Sequence, residues 1–424
     1  MISQAGRDWR VILLLVGSGG SGLLAMGASF SIAVYAAFDA WRGQQTTSPT
    51  TQMGIMVAVG ALALIGAILA FAGYQALMAV LGRPKQPIIN TPIRFRTALV
   101  LLLVWLAASI LAQAVINAGG PTWLASPLHI LAIGSPVYLV ARIGTGGLSG
   151  ETQLRMWGTL AAGLVGGTGV SALAEVALLL AGVFAAALFL VQSPDHLLAF
   201  EGLLHEVSRG SGIQDALAAL QPILMHPLAL ATVLVAVAVV TPIVEEFSKS
   251  TAPWLIYRRL RTAAEGFWCG AVSGASFALL EGLMASADPS GNWTAIFLIR
   301  AWSSMMHILA SGLAGWGIAA FRLTGRSSRL IAGYGFAIGI HALWNAAVVG
   351  IGYGGLRTLF NQAEPDVIAA VAILAGGLIL TSLAVSLPAA ILLINRKLRA
   401  PAGGIEVRPA AGDGLALTST RLEG

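Results

Sequence analysis

Residues 228–257 read LALATVLVAVAVVTPIVEEFSKSTAPWLIY. From Leu228 to Val240 only Thr232 interrupts the apolar side chains, and the whole run exceeds the roughly 20 residues that cross a bilayer core as a helix. Well inside it stand Glu245 and Glu246, one turn before Lys249. Charges at that depth are tolerated only where something compensates them. The stretch therefore sets two expectations: a helical membrane protein, and a polar site buried within it.

Working outward, comparable runs occur at about 11–38, 53–81, 97–117, 123–141, 157–191, 266–286, 293–321, 330–352 and 367–394. Across all 424 residues 57% are hydrophobic and 10% charged, whereas a soluble domain carries about 25% charged residues. The apolar residues come in blocks rather than alternating, which excludes a transmembrane β-barrel. The expected class is all-α: a polytopic transmembrane helix bundle of about ten spans, multi-pass in the cell membrane. The first run follows Arg7 and Arg10 but is too long for a cleaved signal sequence, and reads as an uncleaved anchor.

The net charge of +6 raises the question of nucleic acid, and the positions of the charges answer it. Lys and Arg cluster before the first run, after the second, fourth, sixth and eighth, and in the tail; the other connections hold only Arg42, Arg209 and Arg357. That asymmetry is a topology signal and places both termini in the cytoplasm. No nucleic-acid partner is expected. Trp9, Trp41, Trp123, Trp157, Trp268 and Trp293 lie near span ends, as an interfacial aromatic belt requires. The single cysteine, Cys269, can form no internal disulfide.

The organisation expected is an N-terminal membrane region over 1–227, a four-span bundle with a polar centre over 228–352, a final span over 353–394 and a disordered cytoplasmic tail over 395–424. The first region ends in an outer loop at 192–226. Its Asp195, Glu201, Glu206 and Asp215 suggest a helix lying partly on the membrane surface. Residues 40–52 form a polar Thr/Gln/Ser connection. No internal repeat or inverted pair of broken helices is present, which counts against a transporter.

Spans six to nine each place ionisable side chains near mid-depth: Glu245, Glu246 and Lys249, then Glu281, then Arg300 and His307, then His341. On insertion scales each costs about 2.5–3.5 kcal/mol, so such a set must pair, hydrate or bind a metal. Antiparallel neighbours bring Glu245, Glu281, His307 and His341 to one level. Phe277 shares a face with Glu281, Ser311 with His307, and Asn345 with His341, each one turn away. Arg300, Ser304, His307 and Ser311 make one polar stripe. Gly270 and Gly274, and Gly335 and Gly339, have the spacing that permits close helix approach. His129 reads as a structural helix–helix hydrogen bond, Glu175 as structural, and Lys249 and Arg300 as charge partners.

Carboxylates and imidazoles converging in a low-dielectric site suit hydrolysis. A zinc site takes three such ligands and leaves one position for water. No HExxH is present, since His205-Glu206 runs on to Val, Ser and Arg, and Gly274-Ala-Ser276 runs on to Phe277 rather than completing a serine-protease GxSG. The rival is a non-enzymatic proton-coupled carrier or membrane sensor with a Glu/His core. A lipid-modifying hydrolase would use the same residue types.

Glu245-Glu246-Phe-Ser-Lys249, followed by the basic Tyr257–Arg261 stretch, resembles the EExxK motif of the PrsW family of intramembrane proteases. Phe277-Ala-Leu-Leu-Glu281 is similar to that family's FxxxE element, and His307 and His341-Ala-Leu-Trp-Asn345 match its two following histidine elements in order. The family is distantly akin to the CAAX prenyl endopeptidases, and the acid at Glu281 favours the PrsW branch. Where the family usually has asparagine after that glutamate, this chain has Gly282. The resemblance implies a membrane-embedded peptidase whose functional set is Glu245, Glu246, Glu281, His307 and His341, with Asn345 adding a polar contact. Glu245 is the expected general base, and Glu281, His307 and His341 the expected ligands if zinc is used. The implied partners are the lipid bilayer and a membrane-protein substrate, an anti-sigma factor or another single-span protein.

Overall fold

A computed structural model describes residues 8–42, 48–84, 86–148, 152–191, 224–360 and 366–400, with the isolated positions 197, 198, 201, 202, 205 and 221. Among the described residues ten helices are long and apolar enough to cross a membrane. We number them α1 (Trp9–Asp39), α2 (Pro49–Val80), α3 (Phe95–Asn117), α4 (Thr122–Thr145), α5 (Gln153–Gly182), α6 (Pro227–Leu255), α7 (Ala263–Ala285), α8 (Trp293–Thr324), α9 (Ser327–Phe360) and α10 (Val367–Arg399). They coincide with the ten apolar runs. Among the described residues the β-structure is one isolated bridge, Pro87 to Thr152. The expectations for the 192–226 loop fall almost wholly outside the described residues, as do those for 43–47 and for the tail from 401.

The bundle is built around α7 and α8. In their most apolar windows 78% and 61% of residues are buried, against 11–44% in the other eight helices, so these two are the inner pair. They lie against each other because α7 presents glycine where α8 comes closest. A β-carbon at Gly270 would stand 2.0 Å from the Ser311 carbonyl oxygen, and one at Gly274 would stand 2.6 Å from that of His307. The glycines thus set the distance between Glu281 and His307, which ride on the same two helices. Gly335 and Gly339 have nothing within 4 Å of such an atom, so that spacing, read as a contact signal, makes none. The close approach of α8 to α9 occurs instead at Gly317 and Gly333. Gly282 is also accounted for, since Ile133 Cγ2 would lie 2.9 Å from its β-carbon.

α5 and α6 are interrupted helices. A π-helical stretch, Ala162–Gly167, breaks α5; another, Leu234–Val240, precedes Thr241 and Pro242 in α6. In the wider i to i+5 register Val237 would bond to the nitrogen of residue 242, and proline has no hydrogen to give. Asn345 Nδ2 on α9 donates to the Val237 carbonyl instead, at 2.8 Å. The same substitution recurs at the other end of the turn. Pro253 cannot donate to the Lys249 carbonyl four residues back, and Ser273 Oγ on α7 does so at 2.7 Å. Ser250 and Thr251 hydroxyls cap the carbonyls of Glu246 and Ser248 at 2.7 and 2.6 Å. The segment Thr241–Lys249 is therefore a short helix held at both ends by other helices, and it carries the two glutamates.

Candidate active site

The short helix turns both carboxylates inward, to different places. Glu246 is fully buried and Glu245 is 7% exposed; only Glu245 reaches the wall of a cavity of about 1060 Å³ enclosed by α5 to α9. Lys249, fully buried, lies between them. Its ammonium has three hydrogens and three acceptors: Glu245 Oε2 at 2.7 Å, Glu246 Oε1 at 2.9 Å and His307 Nδ1 at 2.8 Å. It also stands 4.2 Å from the centroid of the Phe277 ring. No donor capacity is left over, which is how a lysine survives complete burial.

The network fixes the histidine tautomers. An ammonium only donates, so His307 Nδ1 accepts and the ring proton sits on Nε2, which faces Glu281 Oε2 at 2.7 Å. A carboxylate only accepts, so His341 Nδ1 carries the proton toward Glu246 Oε1 at 2.9 Å. His341 Nε2 is then a bare lone pair, 3.8 Å from Glu245 Oε2. The two rings meet edge to face with centroids 5.0 Å apart. Ser311 Oγ donates to the second oxygen of Glu246 at 3.2 Å, and Arg300 Nη2 lies 2.7 Å from Glu281 Oε1. Three carboxylates, Glu245, Glu246 and Glu281, thus face two cations, Lys249 and Arg300.

Glu245, Glu246, Glu281, His307 and His341 thus come together at one level, with Lys249 at their centre. Asn345 lies on the cavity wall, but its amide is spent on the Val237 carbonyl rather than on the acids. Ser304 leaves the expected polar stripe, donating to the Arg300 carbonyl of its own helix at 2.7 Å. His129 bonds Ser286 at 2.7 Å across two helices, away from the cavity. Glu175, read from sequence as structural, lines the cavity beside Ser171, which donates to it at 3.3 Å. The signal for it was present: an acid in an otherwise apolar run with a hydroxyl one turn before it.

A model of the PrsW family of intramembrane metalloproteases matches residues 156–376. The chain belongs to the PrsW family. It is accordingly a multi-pass membrane peptidase, working in a lipid environment on membrane-protein substrate, and the carrier and sensor readings are set aside. The match takes in α5 and the start of α10 as well as the four spans singled out from the sequence. No curated protein and no solved structure matches the chain.

For a PrsW metalloprotease the donor set must suit a metal. One atom from each of Glu245, His307 and His341 lies within 4.8 Å of the others, and two histidines with one glutamate is a zinc set used by peptidases. This group has Glu245 where the sequence reading placed Glu281, because Glu281 is drawn to Arg300 and to His307 Nε2. His341 also has the supporting contact of a metal ligand, with Nδ1–H held by a carboxylate and Nε2 bare. The residues fit.

Proposed function

We propose that this PrsW protein cleaves a peptide bond of a membrane protein inside the cavity, with Glu245 as the base that activates water. The observation supporting this reading is that Glu245 alone of the adjacent pair turns its carboxylate to the cavity, with the bare Nε2 of His341 3.8 Å away. A water held between them gives its proton to Glu245 while its oxygen attacks the scissile carbonyl carbon. Glu245 returns that proton to the amide nitrogen as the C–N bond breaks, leaving a carboxylic acid, which keeps the water's second proton, and an amine.

The other residues position this pair. Glu246 orients His341, Lys249 holds both glutamates and His307 at one point, and Arg300 fixes Glu281 as a further carboxylate at the wall. Glu245, His307 and His341 are the residues that would hold zinc, which would supply a Lewis acid for the carbonyl oxygen and a more acidic water. Glu245 is the base of the metal-free site and would be a ligand instead in a zinc-loaded one. Glu281 joins as a ligand only by leaving Arg300.

The substrate we propose is a single-span membrane protein, of the anti-sigma-factor kind that the resemblance implies. Its helix must open to expose one peptide bond, and the freed backbone groups need partners. Thr168, Ser171, Glu175 and Thr241 on the cavity wall offer them. With the basic loops inside, both termini face the cytoplasm and the 192–226 loop lies outside.

The test is cleavage of a tagged single-span substrate in membranes at matched expression. Glu245→Gln should lower the rate about 10²–10⁴-fold. Unchanged cleavage by each of Glu245→Gln, His307→Ala and His341→Ala would overturn the site, and loss confined to Glu246→Gln would exchange the roles of the two glutamates.

A further inference from the structure

A second cavity, about 970 Å³, opens between α1, α5 and the connection from α6 to α7. It lies on the arginine-rich face of the bundle and is separate from the catalytic cavity. Among the described residues six arginines line it, Arg10, Arg155, Arg258, Arg259, Arg261 and Arg322, and the only carboxylate is Asp8. Arg259 and Arg10 lie 2.5 and 3.9 Å from Asp8, and Arg155 lies 3.2 Å from Glu265 behind the wall. Arg322 is spent on the carbonyls of Leu260 and Arg258. Arg258 and Arg261 have no carboxylate within ion-pair distance among the described residues. In addition, Arg10 Nε is buried without a hydrogen-bond acceptor.

Below this rim the lining is mostly apolar, with Leu13, Leu14, Gly17, Val165 and Leu255, and the hydroxyls of Ser18, Thr159 and Thr251 there are already bonded to Leu14, Cys269 and Ser248. From Arg10 to Gly17 the helix descends about 11 Å at 1.5 Å per residue. The cavity therefore has a cationic mouth at the membrane interface and an apolar shaft running into the hydrocarbon layer. A soluble phosphate leaves the shaft unused, and an uncharged lipid leaves the arginines uncompensated. An acyl chain joined to an anionic headgroup satisfies both, because guanidinium groups bind phosphate oxygens in pairs.

We propose that this cavity is a binding site for an anionic phospholipid of the leaflet next to the basic loops, which the positive-inside rule makes the cytoplasmic one. Its phosphate sits on Arg258 and Arg261 with Arg10 Nε as a further donor, and one acyl chain lies along Leu13, Leu14 and Gly17. The site reaches the back of the catalytic turn. Gly166 on its wall is so close to Thr251 that a β-carbon there would lie 3.0 Å from Thr251 Cγ2, and Thr251 caps the Ser248 carbonyl. Binding itself does not depend on the proteolytic reading, so the test needs no substrate.

The test uses the full chain in non-ionic detergent, followed by native mass spectrometry and thermal unfolding. The probes are phosphatidylglycerol, phosphatidylcholine with the same acyl chains, and inorganic phosphate. We expect phosphatidylglycerol to bind at least about tenfold more tightly than phosphatidylcholine, and the paired change Arg258→Gln with Arg261→Gln to weaken it about 30-fold, a factor of about five per arginine. Gly17→Leu is the second variant. It keeps every arginine, and a β-carbon at Gly17 meets nothing within 4 Å, so it folds while blocking the shaft, and it too should lose the lipid. Wild-type lipid binding by Gly17→Leu would overturn the proposal, leaving only attraction to a basic surface. So would equal binding of the two lipids, or stabilisation by inorganic phosphate that matches phosphatidylglycerol.

Discussion

Asn345 on α9 donates its side-chain amide to the backbone carbonyl of Val237 on α6, 2.8 Å away. The partner that carbonyl lacks within its own helix is Pro242, three residues before Glu245. The Asn345 side chain therefore acts on the backbone that presents Glu245, without touching that acid. Together with Ser273 at the Lys249 carbonyl, it lets a helix flanked by two prolines hold one shape inside a membrane. Leaving a buried carbonyl unsatisfied costs about 1–3 kcal/mol; with Asn345 at the cavity wall, the lower figure applies.

Asn345→Leu should thus destabilise the protein by about 1 kcal/mol in reversible unfolding from detergent. Pro242→Ala restores a backbone donor, so the penalty for losing Asn345 should shrink in that background. A double-mutant cycle that shows purely additive effects would mean that the amide is not replacing the missing N–H.

Lys249 has no donor to spare, and its three acceptors include two carboxylates. Removing one partner of a buried ion pair costs about 3–5 kcal/mol, because the remaining charge stays buried. Lys249→Met should accordingly lower stability by that order and reduce the folded yield. Adding Glu246→Gln to Lys249→Met should recover part of it, since one unpaired charge is then gone. A stability for Lys249→Met within about 0.5 kcal/mol of wild type would show that the ammonium does not hold the cluster together.

Much of this architecture was legible in the sequence, for a physical reason. A bilayer penalises each exposed polar group, so hydropathy marked the ten helices, most of them to within a few residues but α5 and α9 off by eight or nine at one end, and Glu245, Glu281, His307 and His341 stood out against their apolar surroundings. What escaped was set by neighbours in space. The π-helical stretch of α6 leaves no local signature, because the Val237 carbonyl depends on a donor supplied by α9. The pattern marked Lys249 as a charge partner, but nothing in it shows that one ammonium serves Glu245, Glu246 and His307 together. Gly335 and Gly339 had the same spacing as Gly270 and Gly274, yet only the second pair faces another helix. Glu281 was expected among the metal ligands; it stands 2.7 Å from Arg300, about two turns before His307, and Glu245 is the acid in the close donor group.

Glu246 should influence metal affinity without being a ligand. Its carboxylate holds His341 Nδ1–H at 2.9 Å, and loss of such an outer partner typically costs 10–100-fold in metal affinity. Zinc titration of the purified protein should show a weakening of about that size for Glu246→Gln, and loss of the site for His341→Ala. An unchanged zinc affinity in Glu246→Gln would separate the glutamate from the metal site and return it to a purely structural role.

The orientation of the chain can be read from its thiols. Cys269 is fully buried, so the wild-type protein presents no reactive cysteine, and a single new one reports its own side of the membrane. With Lys and Arg concentrated in alternate connections, the basic loops are expected in the cytoplasm. Gln214→Cys, in the sparsely basic 192–226 connection, should then react with a membrane-impermeant maleimide in intact cells. Gln86→Cys, between α2 and α3, and Thr418→Cys, in the tail, should react only after permeabilisation. Both sets are needed, since the loop and the tail test opposite faces of one topology. The reverse pattern would invert the chain, place the arginine-lined cavity on the outer leaflet, and bring substrates to Glu245 from the opposite side.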